Sequence, residues 1–372
     1  MTPPPLRKVT IASIDDRPDL AWAVGETFSL PHASLEALAP GAADNDCVAL
    51  RGTVPGDDAE GLRLHSAFTD TPPTSSRLPF PYHRVPSFIR AMAAKVIGRM
   101  RGRDEAKWAR FPGWPLDLSA DFLADVAGSA PRRPGPCPVI LSHDLDSAEG
   151  LRNAVERFIE IEERFGARSV NFVVPCKWKL DHGLLGELHG RGHEIGVHGY
   201  DHANRTAFAS PDEMQRRVQA ARPLIEQYKA RGYRAPSLLR TRRLYQVLSS
   251  VYTWDSSIPT SGGPLPVPNH GCASARPFRV EGLPVIPLSM PRDGSLRFLG
   301  HSPADIFGIW KSCAERIAAS GGCVVLLTHC EKMFSGNNEM LSLYRDILDY
   351  LNGDDRFTWS TPDDVLAAYN IL

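Results

Sequence analysis

The stretch "PVILSHDLDS", Pro138 to Ser147, is a short apolar run rich in strand-forming residues that ends in a histidine and two aspartates. A run of this length reads as a strand buried on both faces, and ionisable side chains gathered where it stops mark an end that carries chemistry. Comparable runs recur downstream with helical patterns between them: "SVNFVVP", "HEIGVHG", "GYRAPS", "YTWDSS", "LPVIPLSM", "CVVLLTH" and "FTWSTPDD". Such alternation predicts βα units around a parallel sheet. Seven or eight repeats in roughly 235 residues match a closed barrel better than an open doubly wound sheet. No G-x-G-x-x-G follows the first strand, so dinucleotide binding gains no support. Between the strands, Ser210, Pro211 and Glu213 predict a capping box, Ser302, Pro303 and Asp305 predict a second helix start, and Pro223 predicts a kink or stop.

The whole chain sets the bounds. It has 372 residues, with 42 basic against 43 acidic side chains and a formal net charge of -1, so nothing global argues for nucleic acid as a partner. Seven scattered cysteines, never spaced C-x-x-C, suggest free thiols in a reducing compartment. The start lacks an apolar leader and no run has the length of a membrane span, so the expectation is a cytoplasmic protein with no transmembrane segment. Residues 1–130 read as a smaller N-terminal accessory domain, α/β or irregular, with strand candidates "KVTIASI" and "CVALRG". A basic helix around "SFIRAMAAKVIGRMRGRDEAKWAR" follows, read as a solvated face. The Pro/Gly-rich "GSAPRRPGPCP" joins this region to residues 131–372, the barrel domain.

Ionisable residues sit at the same end of five predicted strands: "SHDLDS", "HGYDH", "YRAP", "WDSS" and "THCE". In "HEIGVHGYDH", His193 lies at the strand's entry, whereas His198 falls where the strand runs out and His202 follows four residues later, a spacing that brings two imidazoles together. Asp144 and Asp146 are two apart and point the same way along a strand, where a divalent metal would relieve their repulsion. One carboxylate with two imidazoles is a three-ligand site with open positions, the arrangement of a hydrolytic zinc. The remaining carboxylate is then available as a base.

These motifs in this order resemble the polysaccharide deacetylases, the NodB-homology or carbohydrate esterase family 4 group, over roughly residues 137–370. The resemblance implies a distorted (β/α)7 barrel and metal-dependent hydrolysis. Through it, "SHDLDS" maps Asp144 to the base and Asp146 to the metal, and "HGYDH" maps His198 and His202 to the metal. "YRAP" maps Arg234 to the partner of the base. "LLTH" maps His329 to the general acid and Leu327 to the acyl pocket. Where the family often shows D-x-x-W this sequence departs and has "YTWDSS", with Asp255 as the expected partner of His329. A backbone N–H near Pro236 or Ser237 is the expected oxyanion donor. Asp201 is at most a support for a neighbouring histidine. His182, His189 and His193 read as structural, and Cys330 points away from His329 and is no nucleophile.

The long Pro/Gly-rich insertion after the fifth strand holds His270, Arg276, Arg279 and Asp293, which read equally as substrate contacts or ordinary loop polars. With zinc as the implied cofactor, the expected substrate is an acetamido sugar or a nucleotide- or lipid-linked sugar intermediate. Deformylation, cyclic-amide hydrolysis, O-acetyl ester hydrolysis and binding without turnover stay open, as does association into a homo-oligomer.

Overall fold

Each run quoted above forms a strand. The computed structural model describes residues 8–9, 47–48, 68–69, 71–103, 114–116, 135–265, 267, 269, 271–272 and 274–371. Lys8–Val9 (β1) and Cys47–Val48 (β2), within the two N-terminal strand candidates, pair in parallel as a small separate sheet. The main sheet consists of β3 (Cys137–Leu145), β4 (Ser169–Val173), β5 (Glu194–Val197), β6 (Gly232–Tyr233), β7 (Trp254–Asp255), β8 (Phe278–Val280), β9 (Leu283–Val285), β10 (Val324–His329) and β11 (Phe357–Trp359). Its nine strands run in the order β10-β3-β4-β5-β6-β7-β9-β8, with β11 also on β3. Every pairing is parallel except β8 with β9. The sheet curls until the chain beyond β9 returns to β10, where Met290 N–H donates to the Val325 carbonyl at 3.2 Å.

Strand alternation divides the core into two shells. Val139 and Leu141 of β3 and Val324 and Leu326 of β10 face the surrounding helices, among Phe158, Trp310 and Tyr344. Ile140, Val325 and Leu327 face the inside of the curl, where they meet Phe172, Trp254 and Ile286. Both faces are therefore apolar, which is why these strands read as continuous apolar runs rather than alternating ones.

Three local expectations change. Within the insertion only "LPVIPLSM" reads as a strand, yet Phe278–Val280 is a strand too and pairs with Leu283–Val285 as a hairpin with a two-residue turn. Glu281 and Gly282, at φ 49 and 80, supply the left-handed turn that right-twisted strands need. The helix Pro211–Gln219 starts as expected, but the Ser210 side chain makes no cap and Glu213 pairs with Arg216 and Arg217 instead. Pro223 lies in the first turn of a new helix, Arg222–Tyr228, where its missing N–H costs nothing. The Ser302–Asp305 box forms as expected, with both reciprocal hydrogen bonds.

The basic helix spans Ser87–Gly102 and packs on the helix Asp293–Leu299 through its small residues. A Cβ on Gly98 would come 1.9 Å from the Phe298 carbonyl oxygen, so only glycine permits this approach. Phe88, Met92, Val96 and Met100 are exposed beside the basic residues, so the outer face is not purely the solvated charged face that the composition suggested. Among the described residues, no helix is long and apolar enough to cross a membrane.

Beneath the end of β3, Glu162 is fully buried and accepts from His143 Nε2 at 2.6 Å and from the Tyr344 hydroxyl at 2.8 Å, while Thr328 holds His143 Nδ1 at 2.8 Å. This network braces the residue next to Asp144. Glu162→Ala strands two buried polar groups and is expected to lower unfolding stability by about 3 kcal/mol, read by denaturant titration. A loss under about 1 kcal/mol would mean that His143 and Tyr344 find other partners.

Candidate active site

Backbone pairing continues just past the strand ends and places the polar side chains. His198 N–H donates to the Val173 carbonyl at 2.8 Å, and Arg234 N–H to the Val197 carbonyl at 2.9 Å. In register, His329 at the end of β10 stands beside Asp144 near the end of β3. Gly199, at φ 66, packs so closely on the Pro236 ring that a Cβ would come 2.4 Å from Pro236 Cδ. The H-x3-H and R-x-P turns thereby interlock.

Asp146, His198 and His202 come together, each offering one ligand atom, all within 4.8 Å of one another. Asp146 Oδ1 lies 3.1 Å from His202 Nε2 and 3.5 Å from His198 Nε2. Tautomers decide whether this set suits a cation. His198 Nδ1 is 3.0 Å from the Arg234 carbonyl, which can only accept, so Nδ1 carries the hydrogen and the neutral ring presents a bare lone pair at Nε2. Burial, only partly opposed by Asp144 and Asp146, pulls His198 down to about 4, so the ring is neutral at pH 7. That lone pair faces Asp146 Oδ1 and, also at 3.5 Å, Asp144 Oδ2. Asp146 Oδ1 is itself buried, with the two imidazole nitrogens as its near neighbours. The His198 lone pair thus faces two carboxylates with no proton between them, an arrangement that suits a divalent metal.

Asp144 lies beside this group and is 3% exposed. Arg234 meets its Oδ1 from Nη1 at 3.0 Å and spends its remaining donors on Ser142 Oγ, Ser256 Oγ and the Ser256 carbonyl, while Phe172 covers its plane at 4.0 Å. The guanidinium is thus locked. Burial pushes the Asp144 carboxyl up, but His198, Arg234 and His329 outweigh it and hold the group below the ordinary carboxylate range.

His329 does not meet Asp255. Its Nδ1 lies 2.7 Å from Asp293 Oδ1, and its backbone N–H donates to Asp293 Oδ2 at 2.8 Å. Asp255 instead accepts from the Tyr245 hydroxyl at 2.5 Å and from Ser257 N and Oγ at 2.8 and 2.6 Å. Ser257 Oγ in turn accepts the Ala235 N–H, so Asp255 braces the Arg234–Pro236 turn. A carboxylate two residues before a serine is readily satisfied locally, which removes it from longer reach. Asp201 is also corrected: it accepts from Ala203 N–H at 3.0 Å and touches neither metal-facing histidine.

Burial draws the His329 imidazole down, but Asp293, reinforced by Asp144 and Asp146, more than reverses this and lifts it from 6.5 to about 10. The ring is therefore cationic at pH 7. The pair stabilises the fold fully below an imidazole's ordinary 6.5, and that contribution is lost as pH rises through about 10. Asp293→Asn is expected to return the His329 titration toward neutral pH, followed by NMR on the metal-free protein, and to lower turnover about 100-fold. An unmoved His329 titration in this variant would sink the pairing.

Of the other insertion residues, Arg276 donates to the Ser320 carbonyl and Arg279 to the Gly282 and Ile371 carbonyls, so both tie loops together. His270 lies outside the described residues. His193 is buried 3.5 Å or less from Glu162 and Glu163, and His182 bonds the Tyr228 hydroxyl, in line with structural roles. Cys330 is buried, which pushes its thiol up, away from nucleophilic use.

Residues 134–252 match the family model described as Polysaccharide deacetylase, a span that includes Asp144, Asp146, His198, His202 and Arg234. Over this span the chain is similar to that family. A comparison with curated proteins found no match. Among solved structures, the chain is similar to a protein from Mycobacterium smegmatis described as a polysaccharide deacetylase, at 19% identity and a TM-score of 0.51, over 65% of this chain and 92% of that one. It is also similar to one described in the same way from Pseudomonas aeruginosa PAO1, at 14% identity and TM-score 0.51, over 69% and 98%. A third, Puue allantoinase, matches at 15% identity and TM-score 0.50, over 69% and 97%. At such identities the likeness is one of fold.

Glu331 is a further polar residue at the site. Its Oε1 accepts from Asp146 N–H at 3.0 Å and Ser147 Oγ at 2.8 Å, which fixes the turn that carries Asp146. Burial and the nearby Asp146 push its carboxyl up to about 7. Its place two residues past His329 in "THCE" was visible in the sequence, but the pairing with a turn 185 positions away was not.

Proposed function

We propose that this chain is a divalent-metal-dependent N-deacetylase acting on an acetamido sugar or a nucleotide- or lipid-linked sugar intermediate. The observation that carries this reading is the ionised, arginine-locked Asp144 beside a ligand set in which the bare His198 lone pair faces two carboxylates. Asp146, His198 and His202 would hold the ion, and zinc suits two imidazoles and a carboxylate. A bound divalent ion supplies Lewis acidity, making water easier to deprotonate and drawing charge from an acyl oxygen.

The protein's own groups supply the proton movements. Asp144 accepts a proton from the attacking water as the new C–O bond forms at the acyl carbon. Arg234 keeps that carboxylate ionised and aimed between steps. His329, cationic through Asp293 and in register beside Asp144, then gives a proton to the amine nitrogen as the C–N bond breaks. Ser237, at φ 52 in the turn just after Arg234, is the N–H donor assigned to the tetrahedral oxyanion; Pro236 has none to give. The reading keeps the cytoplasmic setting that the scattered cysteines suggested.

An acyl series tests the bond. Zinc-loaded protein is offered an N-acetyl sugar, its N-formyl and O-acetyl counterparts and a cyclic amide such as allantoin, and the products are quantified. Preferential acetate release from the N-acetyl sugar supports the proposal. Faster cleavage of the ester, formamide or cyclic amide moves the function to that bond, and no cleavage of any moves it to binding without turnover.

A further inference from the structure

We propose that Tyr82, from the segment preceding the barrel, is a positioning residue for the metal centre, fixing the His202 ring so that Nε2 faces Asp146. The inference rests on the metal-site reading above. It makes the barrel's ligand set dependent on a residue 120 positions away and outside the span matched by the family model.

The two histidines are held in different ways. His198 continues the sheet's ladder through its N–H, and its ring is oriented by the Arg234 carbonyl. His202 sits beyond the ladder, in a loop where its own φ is 58 and that of Asn204 is 61. Left-handed backbone at residues other than glycine costs on the order of 1 kcal/mol each and persists only where surrounding contacts enforce it. Asp201, the acidic neighbour in sequence, is engaged with Ala203 N–H.

The N-terminal segment supplies the missing contacts. The Tyr82 hydroxyl is 2.6 Å from His202 Nδ1, and the two ring centroids are 5.9 Å apart. On either side, Asn204 Nδ2 donates to Ser75 Oγ at 3.1 Å and the Arg205 guanidinium donates to the Leu78 carbonyl. Thr69 N–H donates to the Arg240 carbonyl at 2.6 Å, pinning the start of the segment to the far side of the same rim. A phenol oxygen keeps lone pairs beside its own hydrogen and can accept a hydrogen bond at this distance. For Nε2 to offer a lone pair to a metal, Nδ1 must carry the proton, and the phenol oxygen is placed to accept it.

Tyr82→Phe keeps the ring and deletes only that oxygen. Zinc affinity, measured by chelator competition, is expected to fall about 10-fold. The visible bands of the cobalt-substituted protein should shift as the His202 ring loses its orientation, while the far-UV circular dichroism stays that of the parent. A packing role alone would move neither affinity nor bands in this variant. Zinc binding within about twofold of the parent, with unchanged cobalt bands, would overturn the inference and leave the metal reading intact. A parent chain that takes up no zinc would overturn both.

Discussion

Asp144→Asn should lower turnover by about 1,000-fold while zinc uptake stays close to that of the parent. Asparagine keeps the shape and can still accept one hydrogen bond from Arg234, but it cannot take a proton from water at neutral pH. The buried guanidinium also loses its counter-charge. Four of its hydrogen bonds, to Ser142 and Ser256, remain, so the fold should survive at a cost of about 3 kcal/mol rather than collapse. Turnover, zinc content and thermal melting measured on one preparation separate these effects. Retained turnover would remove Asp144 from the role of base, and lost zinc would make it a ligand instead.

Asp146→Ala should separate stability from function in the opposite direction. It deletes one of three candidate ligands and is expected to weaken zinc binding by more than about 100-fold, beyond the range for a group acting only through a ligand. Turnover should vanish with it. The metal-free variant should stay folded and close to the parent in stability, because the neighbours Asp146 Oδ1 loses are the imidazoles that would share the ion, His202 Nε2 at 3.1 Å and His198 Nε2 at 3.5 Å. A metal-free variant that unfolds at markedly lower temperature would instead mark Asp146 as a structural partner of His202.

The fold was legible because a parallel sheet covered on both faces writes its strands as apolar runs, and because those runs end in polar residues at one rim. Of the β8–β9 hairpin only the second strand was visible, in "LPVIPLSM"; β8 was hidden in a Pro/Gly-rich stretch, although Glu281–Gly282 is a recognisable two-residue turn. Within the site, Asp144, Asp146, His198, His202 and Arg234 were all visible as short motifs because each group lies at or just past a strand end. Long-range partners were not. Asp255 follows the tryptophan of its strand and looked like the ally of His329, but Ser257 and Tyr245 occupy it. Asp293 stood in "PRDG" as one loop polar among several, and only the return of the curled sheet to β10 sets it against His329. Tyr82 gave no signal at all, since no periodicity links a residue of the N-terminal segment to a histidine of the third barrel strand's loop.

The most direct measurement strips the protein with a chelator, restores zinc to stoichiometric content and follows acetate and free amine from an N-acetylated sugar. Acetate and amine appearing in equal amounts, only after zinc is restored and only with Asp144 intact, is the predicted result. Equal release from stripped and zinc-loaded protein would contradict a metal-dependent deacetylase built on Asp146, His198 and His202.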